Sequence, residues 1–328
     1  MSAVATEPVP TPASAPARAA VTGVGLAVPG VRTPADLLAA DPDTSQPVDP
    51  AARIGKKGLR YKDRATQLAL TCADEALRAS GLLGDDGLTV SGESIAVLIA
   101  SNYGNVDTVC AIVETIAADG SASGLSPMDT PNASSNVIAS TLAVKYGLRG
   151  PNLMLCNGPT SGLDAVRWAA ALIESGRAER ALVLGVEPDN AAVRKLAGAD
   201  RLIDGAAAVV LERPGLGPAR GAAELATVGS TVRTAGVRRC LDRLGAADLP
   251  AVWFSPGGAA DAELLPEVPR HDLTGVWGES SGALGVLQCA GAVGWFAAGG
   301  SGPVYALAGR DGDDATAGLV LRAPDALR

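Results

Sequence analysis

The sequence predicts an α/β fold of two similar halves, with two small-residue helices packed together at its centre. Three observations point there. The stretch Gly150–Glu187 reads as strand, tight turn, helix and strand. Gly282–Phe296, followed by a glycine turn and the apolar run Val304–Leu307, repeats the later part of that order. The chain has 328 residues, 47% of them apolar but only 3% aromatic, so it can bury a large core made mostly of Ala, Val and Leu.

Within the first stretch, Leu153–Cys156 is a short apolar run, Asn157-Gly158 signals a turn, and Pro159 falls where a helix begins. Leu163, Val166, Ala169, Ala170 and Ile173 recur at helical spacing until Gly176 ends the helix. Ala181–Val186 is apolar throughout, as in a strand covered on both faces. A strand feeding a sharp turn into a small-residue helix is a favoured place for a nucleophile, because the helix dipole and free N–H groups there stabilise negative charge.

The rest follows in order. Met1–Ala17 is rich in Ala, Pro, Ser and Thr and reads as a disordered leader. Ala20–Leu26 is a strand, Thr33–Ala40 a short helix and Asp41–Ile54 a loop. Gly55–Arg64 is basic, able to face an acidic protein, a partner subunit or solvent. A helix capped by Asp63 then runs to Ser80. Ile95–Ala100 is a buried-type strand. Val109, Ile112, Val113 and Ile116 give Val106–Ala118 a helical apolar face, and Ser134–Tyr146 is a further helix. The halves divide as 18–200 and 201–328.

Glycines in Val21–Pro29 do not make GxGxxG, so no dinucleotide site is expected. Five scattered cysteines suggest neither a disulfide framework nor a metal cluster. A net charge of −8 argues against nucleic acid or an anionic membrane, and no run is long and apolar enough to span a bilayer. No cofactor is implied, and a cytoplasmic protein is expected.

From these motifs the chain resembles the β-ketoacyl synthases. The quoted segments are Val21–Pro29 as first strand, Asp63–Leu70 as first long helix, Asn132–Gly150 before the nucleophile strand, Gly150–Glu187 around it, and Asp204–Glu212 leading into the second half. The resemblance covers Arg18 to the C-terminus and implies a thiolase-like fold of duplicated αβαβα layers. It also implies a catalytic Cys, two His and a gatekeeper Phe, and this sequence departs at every one. Pro159 takes the Cys position. Pro256, or Ser255 one residue earlier, takes the first His, and Glu279 the second. Ala308–Asp314 is polar and lacks Phe. The chain's one histidine, His271, lies upstream and reads as a solvated turn residue. Cys156, three residues before Pro159, reads as a buried structural thiol.

Such losses resemble the chain-length factor of type II polyketide synthases, a family branch that keeps the fold without the Cys. The resemblance implies a heterodimer with an active ketosynthase, a shaped polyketide tunnel, and an acyl carrier protein reached through the partner. Asn132, Asn136, Leu153, Cys156 and Asn157 are then interface candidates, and Val109, Ile112, Val113 and Ile116 tunnel candidates, with ordinary core as the competing reading. Chain-length factors commonly place Gln where Pro159 stands. The connections 187–204 and 234–249 are also short for the family, which suits a highly reducing or polyene system. The alternatives are a repurposed acyltransferase or isomerase using Cys156 or His271, and a structural homodimer.

Overall fold

The computed structural model describes residues 17–128, 130–245, 249–258 and 263–324. All of the expected leader except Ala17 lies outside them. Among these residues twelve strands form: β1 (Ala19–Ala27), β2 (Leu83–Gly84), β3 (Gly87–Leu88), β4 (Ile95–Ala100), β5 (Asn152–Leu155), β6 (Arg180–Glu187), β7 (Gly205–Glu212), β8 (Ala226–Thr234), β9 (Val252–Phe254), β10 (Arg270–His271), β11 (Val304–Ala308) and β12 (Thr316–Arg322). The helices are α1 (Pro50–Ile54), α2 (Arg64–Ala79), α3 (Val106–Asp119), α4 (Val137–Tyr146), α5 (Ser161–Glu174), α6 (Ala191–Ala197), α7 (Leu216–Ala219), α8 (Val237–Leu244), α9 (Leu273–Trp277) and α10 (Leu284–Ala297).

Ten strands hydrogen-bond in the order β10-β9-β11-β12-β8-β1-β7-β6-β4-β5. The duplication is explicit in this order. From the middle outward, one half reads β1-β7-β6-β4-β5 and the other β8-β12-β11-β9-β10. In both, two antiparallel pairings are followed by two parallel ones. The halves join where β1 meets β8 across three residue pairs, Ala19↔Val228 to Val21↔Ala226. Because β7 pairs with β1 and β6, the topological repeat turns over after Glu212. The sequence division at 200/201 falls before that strand.

Strand alternation builds the layers. Ala96, Leu98 and Ala100 of β4 face a central core with α5 and α10, while Ile95, Val97 and Ile99 face an outer core with α2 and α4. In the second half, Val304, Ala306 and Ala308 of β11 face the same central core. Tyr305 and Leu307 face a smaller outer cluster with α8. The result is helix, sheet, paired helices, sheet, helix, the two sheet layers being the two halves of the one ten-stranded sheet. This is the duplicated layering expected from the sequence.

The small-residue helices meet with almost no side chain between them. A Cβ on Gly162 of α5 lies 2.8 Å from the Gly285 nitrogen, and one on Gly285 lies 2.3 Å from the Leu163 nitrogen. Here glycine is required by backbone contact. The long helix α2 starts as predicted, with Asp63 accepting a hydrogen bond from the Thr66 amide at 2.8 Å. Thr33–Ala40 tightens into a 3₁₀ turn, Pro34–Leu38.

Candidate functional site

In each half a tight turn leads into the central helix, directly after β5 in the first half and after α9 in the second. In the first half, Gly158 takes a left-handed conformation (φ 72°), Gly158–Thr160 forms a 3₁₀ turn, and α5 follows at Ser161. In the second, Ser281–Ala283 forms the matching turn before α10. Ser281 itself has φ 38°, a left-handed backbone rare outside glycine.

Asn102, two residues past β4, locks the two turns together. Its Nδ2 donates to the Gly158 carbonyl (2.8 Å) and to Ser281 Oγ (2.7 Å). Its Oδ1 accepts from the Gly158 amide (3.2 Å) and from Ser161 Oγ (3.1 Å). Both donor hydrogens of the amide are thereby used, while Ser161 Oγ shares its single hydrogen between Asn102 Oδ1 and the Gly158 carbonyl at 2.8 Å. Glu187, closing β6, lies behind it. This carboxylate accepts from the amides of Asn102 (2.7 Å), Tyr103 (3.1 Å) and Gly282 (3.0 Å), and from Ser101 Oγ (3.2 Å).

Burial pushes the Glu187 carboxyl up to about 7, against amide donors that favour its charged form. The unfolded chain gives up this proton near pH 4.5, whereas the folded chain holds it to about 7. Its contribution is thus fully present below about pH 4.5 and lost as pH rises through 7. Denaturant melts across that window should show a falling stability, by about 3 kcal/mol if this group acts alone. Glu187→Gln should flatten the slope. An unchanged slope in the variant would remove Glu187 as its source.

Pro159, Pro256 and Glu279 line one cavity of about 400 Å³, together with Cys156, Ser281 and Arg310. A second cleft of about 760 Å³ shares Cys156, Pro159 and Asp313 with it and is lined by Asp164, Arg167 and Arg233. Pro159 offers neither a nucleophilic side chain nor a backbone N–H for an oxyanion. Asp164 is buried and accepts from Thr160 Oγ1 (2.8 Å), Asn157 Nδ2 (3.2 Å) and Arg233 Nε (3.2 Å).

Two sequence readings need correction. Cys156 is exposed, not buried, because β5 ends at Leu155 and the next residue projects past the sheet into both cavities. Partial desolvation, then the nearby Glu187, raise its thiol pKa, so it remains protonated rather than activated. His271 is no solvated turn residue. It belongs to β10, stacks 5.3 Å from the Phe254 ring, and burial lowers its pKa. It is absent from the lining of both cavities, so nothing pairs it with Cys156. Ser255, the other candidate at the first His position, is buried. Its backbone amide donates to the His271 carbonyl at 3.0 Å.

Of the interface candidates, Asn136, Leu153 and Asn157 are exposed like Cys156, and β5 forms an open edge of the sheet. Asn132 is buried and donates to the Tyr61 carbonyl at 2.5 Å. The tunnel candidates are not core. Val109, Val113 and Ile116 are 37%, 59% and 40% exposed, Ile112 is half-buried, and no residue of α3 is buried. Asn102, Glu187 and Arg310 were missed by sequence reasoning. The available signal for Glu187 was a carboxylate ending a wholly apolar strand. Among the described residues no cluster of His, Cys, Asp and Glu could hold a metal ion, and no helix is long and apolar enough to cross a membrane.

Comparison with known proteins agrees with this geometry. Residues 40–196 match the family model for the β-ketoacyl synthase N-terminal domain. The chain is 31% identical over 137 residues to 3-oxoacyl-[acyl-carrier-protein] synthase 2 of Vibrio harveyi, covering 41% of this chain and 31% of that one. It is 30% identical over 193 residues to the tetracenomycin polyketide synthase ketoacyl synthase alpha subunit of Streptomyces glaucescens, covering 49% and 44%. It therefore spans less than half the length of these curated relatives. Among solved structures, a chain of the ishigamide ketosynthase/chain length factor superposes with a TM-score of 0.73 at 23% identity, covering 93% of this chain and 99% of that one.

Proposed function

We propose, from the premise that this chain belongs to the thiolase-like β-ketoacyl synthase family, that it is a catalytically inactive subunit. In this reading it pairs with an active ketosynthase and shapes the tunnel that holds the growing polyketide. One observation carries the proposal. Pro159, Pro256 and Glu279, which the resemblance assigns to the positions of the family's nucleophile and two histidines, line a single cavity. The fold that presents the chemistry is kept, and the groups that perform it are absent.

The mechanism is steric. A partner ketosynthase supplies the thiol and the histidines, and an acyl carrier protein delivers extender units, most directly to that partner. This chain contributes a wall through its open edge β5 and through α3, whose apolar side chains are exposed in the isolated chain. The setting is a cytoplasmic type II system, and the short connections support one that makes highly reduced or polyene chains. Co-expression with an intact ketosynthase, followed by gel filtration and a carrier-protein extension assay, tests the reading. A 1:1 complex that elongates only with both chains supports it. A stable homodimer that ignores the ketosynthase overturns it.

Two variants sharpen the test. Pro159→Cys should leave condensation and malonyl decarboxylation by the isolated chain at background, because neither histidine is restored. Activity well above background would return the chain to the enzymes. In the complex, Val113→Phe should shorten the product, read by mass spectrometry. An unchanged length would remove Val113 from the tunnel wall.

A further inference from the structure

We infer that Arg310 and Glu279 close the 400 Å³ cavity to apolar acyl chains and so set the specificity of the former reaction chamber. This deepens the proposed role, on which its consequence rests: the growing chain is excluded from this subunit's own chamber. Three loops meet around the cavity, following β9, preceding α10 and following β11. They carry Pro256, Glu279 and Arg310 respectively. The side chain of Arg310 reaches across all three. Its Nε points to the Pro256 carbonyl at 3.4 Å, and its Nη2 lies 3.6 Å from Glu279 Oε2. At its base, the Arg310 amide donates to Asp313 Oδ2 at 2.7 Å, which fixes the loop that presents it. Glu279 is held in turn, with Oε1 accepting from the Ser281 amide at 2.9 Å.

Arg310 and Glu279 thus place a charged pair at the cavity, and Pro256 contributes its backbone carbonyl. Arg310 and Glu279 are partly exposed, so both still share water. An alkyl chain threading the cavity must strip part of that water and offers no hydrogen bond in return, which disfavours its entry. The neighbouring Asn102 is held by both turns, which fixes that part of the wall. Small polar molecules and water keep access.

The test uses the purified full chain without a partner, so it stands apart from any failure to form the heterodimer. A neutral dansylated dodecyl amide is titrated by fluorescence, and iodoacetamide modification of Cys156, which lines the cavity, is followed by mass spectrometry. The wild type should show no saturable binding and no protection of Cys156. Arg310→Leu/Glu279→Leu should bind saturably, at least about tenfold tighter, and should slow Cys156 alkylation. Should that double variant lose its native circular dichroism, Arg310→Met/Glu279→Gln carries the same expectation. The inference is overturned if the wild type binds and protects as well as the folded variant. It is equally overturned if the folded variant gains neither property.

Discussion

Gly285→Val should remove a large part of the fold's stability. The Cβ it introduces lies 2.3 Å from the Leu163 nitrogen and 2.8 Å from the Gly162 carbonyl carbon. Neither helix can retreat, because α5 and α10 are enclosed between the two halves of the large sheet and α5 contacts strands of both halves. Overpacking a tight core usually costs about 1–3 kcal/mol where neighbours relax. Backbone pressed against backbone removes that relief, so a loss above about 4 kcal/mol is expected. Total stability of a folded domain is only about 5–15 kcal/mol. Gly229→Ala serves as the control, since its nearest neighbour is 3.5 Å away and its backbone needs no glycine. Urea melts should place that control within about 1 kcal/mol of wild type. A Gly285→Val protein melting alongside the control would refute the helix contact.

The same contact explains why so much of the fold was legible. Small residues at helical spacing in Gly282–Phe296 and in the first-half helix predicted close packing, which Gly285 makes against α5, while Gly291 meets the Phe254 ring and Gly294 the Pro34 backbone. Asp63 before an apolar period and Gly147 after one marked helix ends that the structure keeps, with Gly147 at φ 70°. What escaped the sequence was long-range or terminal. Arg310 and Glu279 lie 31 residues apart and meet only through the topology. Asn102 bridges turns from both halves. Cys156 sits in an apolar context, but the strand stops one residue earlier. The apolar period of α3 gave its helix correctly but left its environment open between a tunnel face and ordinary core. Periodicity marks a face to be covered and says nothing of whether the cover belongs to the same chain.

That uncovered face supports the last expectation. Val113→Lys combined with Leu153→Lys should weaken association with the ketosynthase at least about 100-fold, equivalent to about 3 kcal/mol. Val113 is 59% exposed on α3, and Leu153 is 37% exposed on β5 at the open edge of the sheet. Charge buried in an interface without a partner costs several kcal/mol, whereas the same lysines on a free surface cost little. The isolated variant should therefore melt close to wild type while failing to co-elute with the ketosynthase. Arg239→Glu gives the comparison, because α8 packs on β8 and β12, away from β5 in the sheet order, and Arg239 faces solvent. Selective loss of pairing in the double lysine variant would place the interface on α3 and β5. Equal pairing by all three proteins would move it elsewhere, and α3 would then need another explanation for its exposed valines.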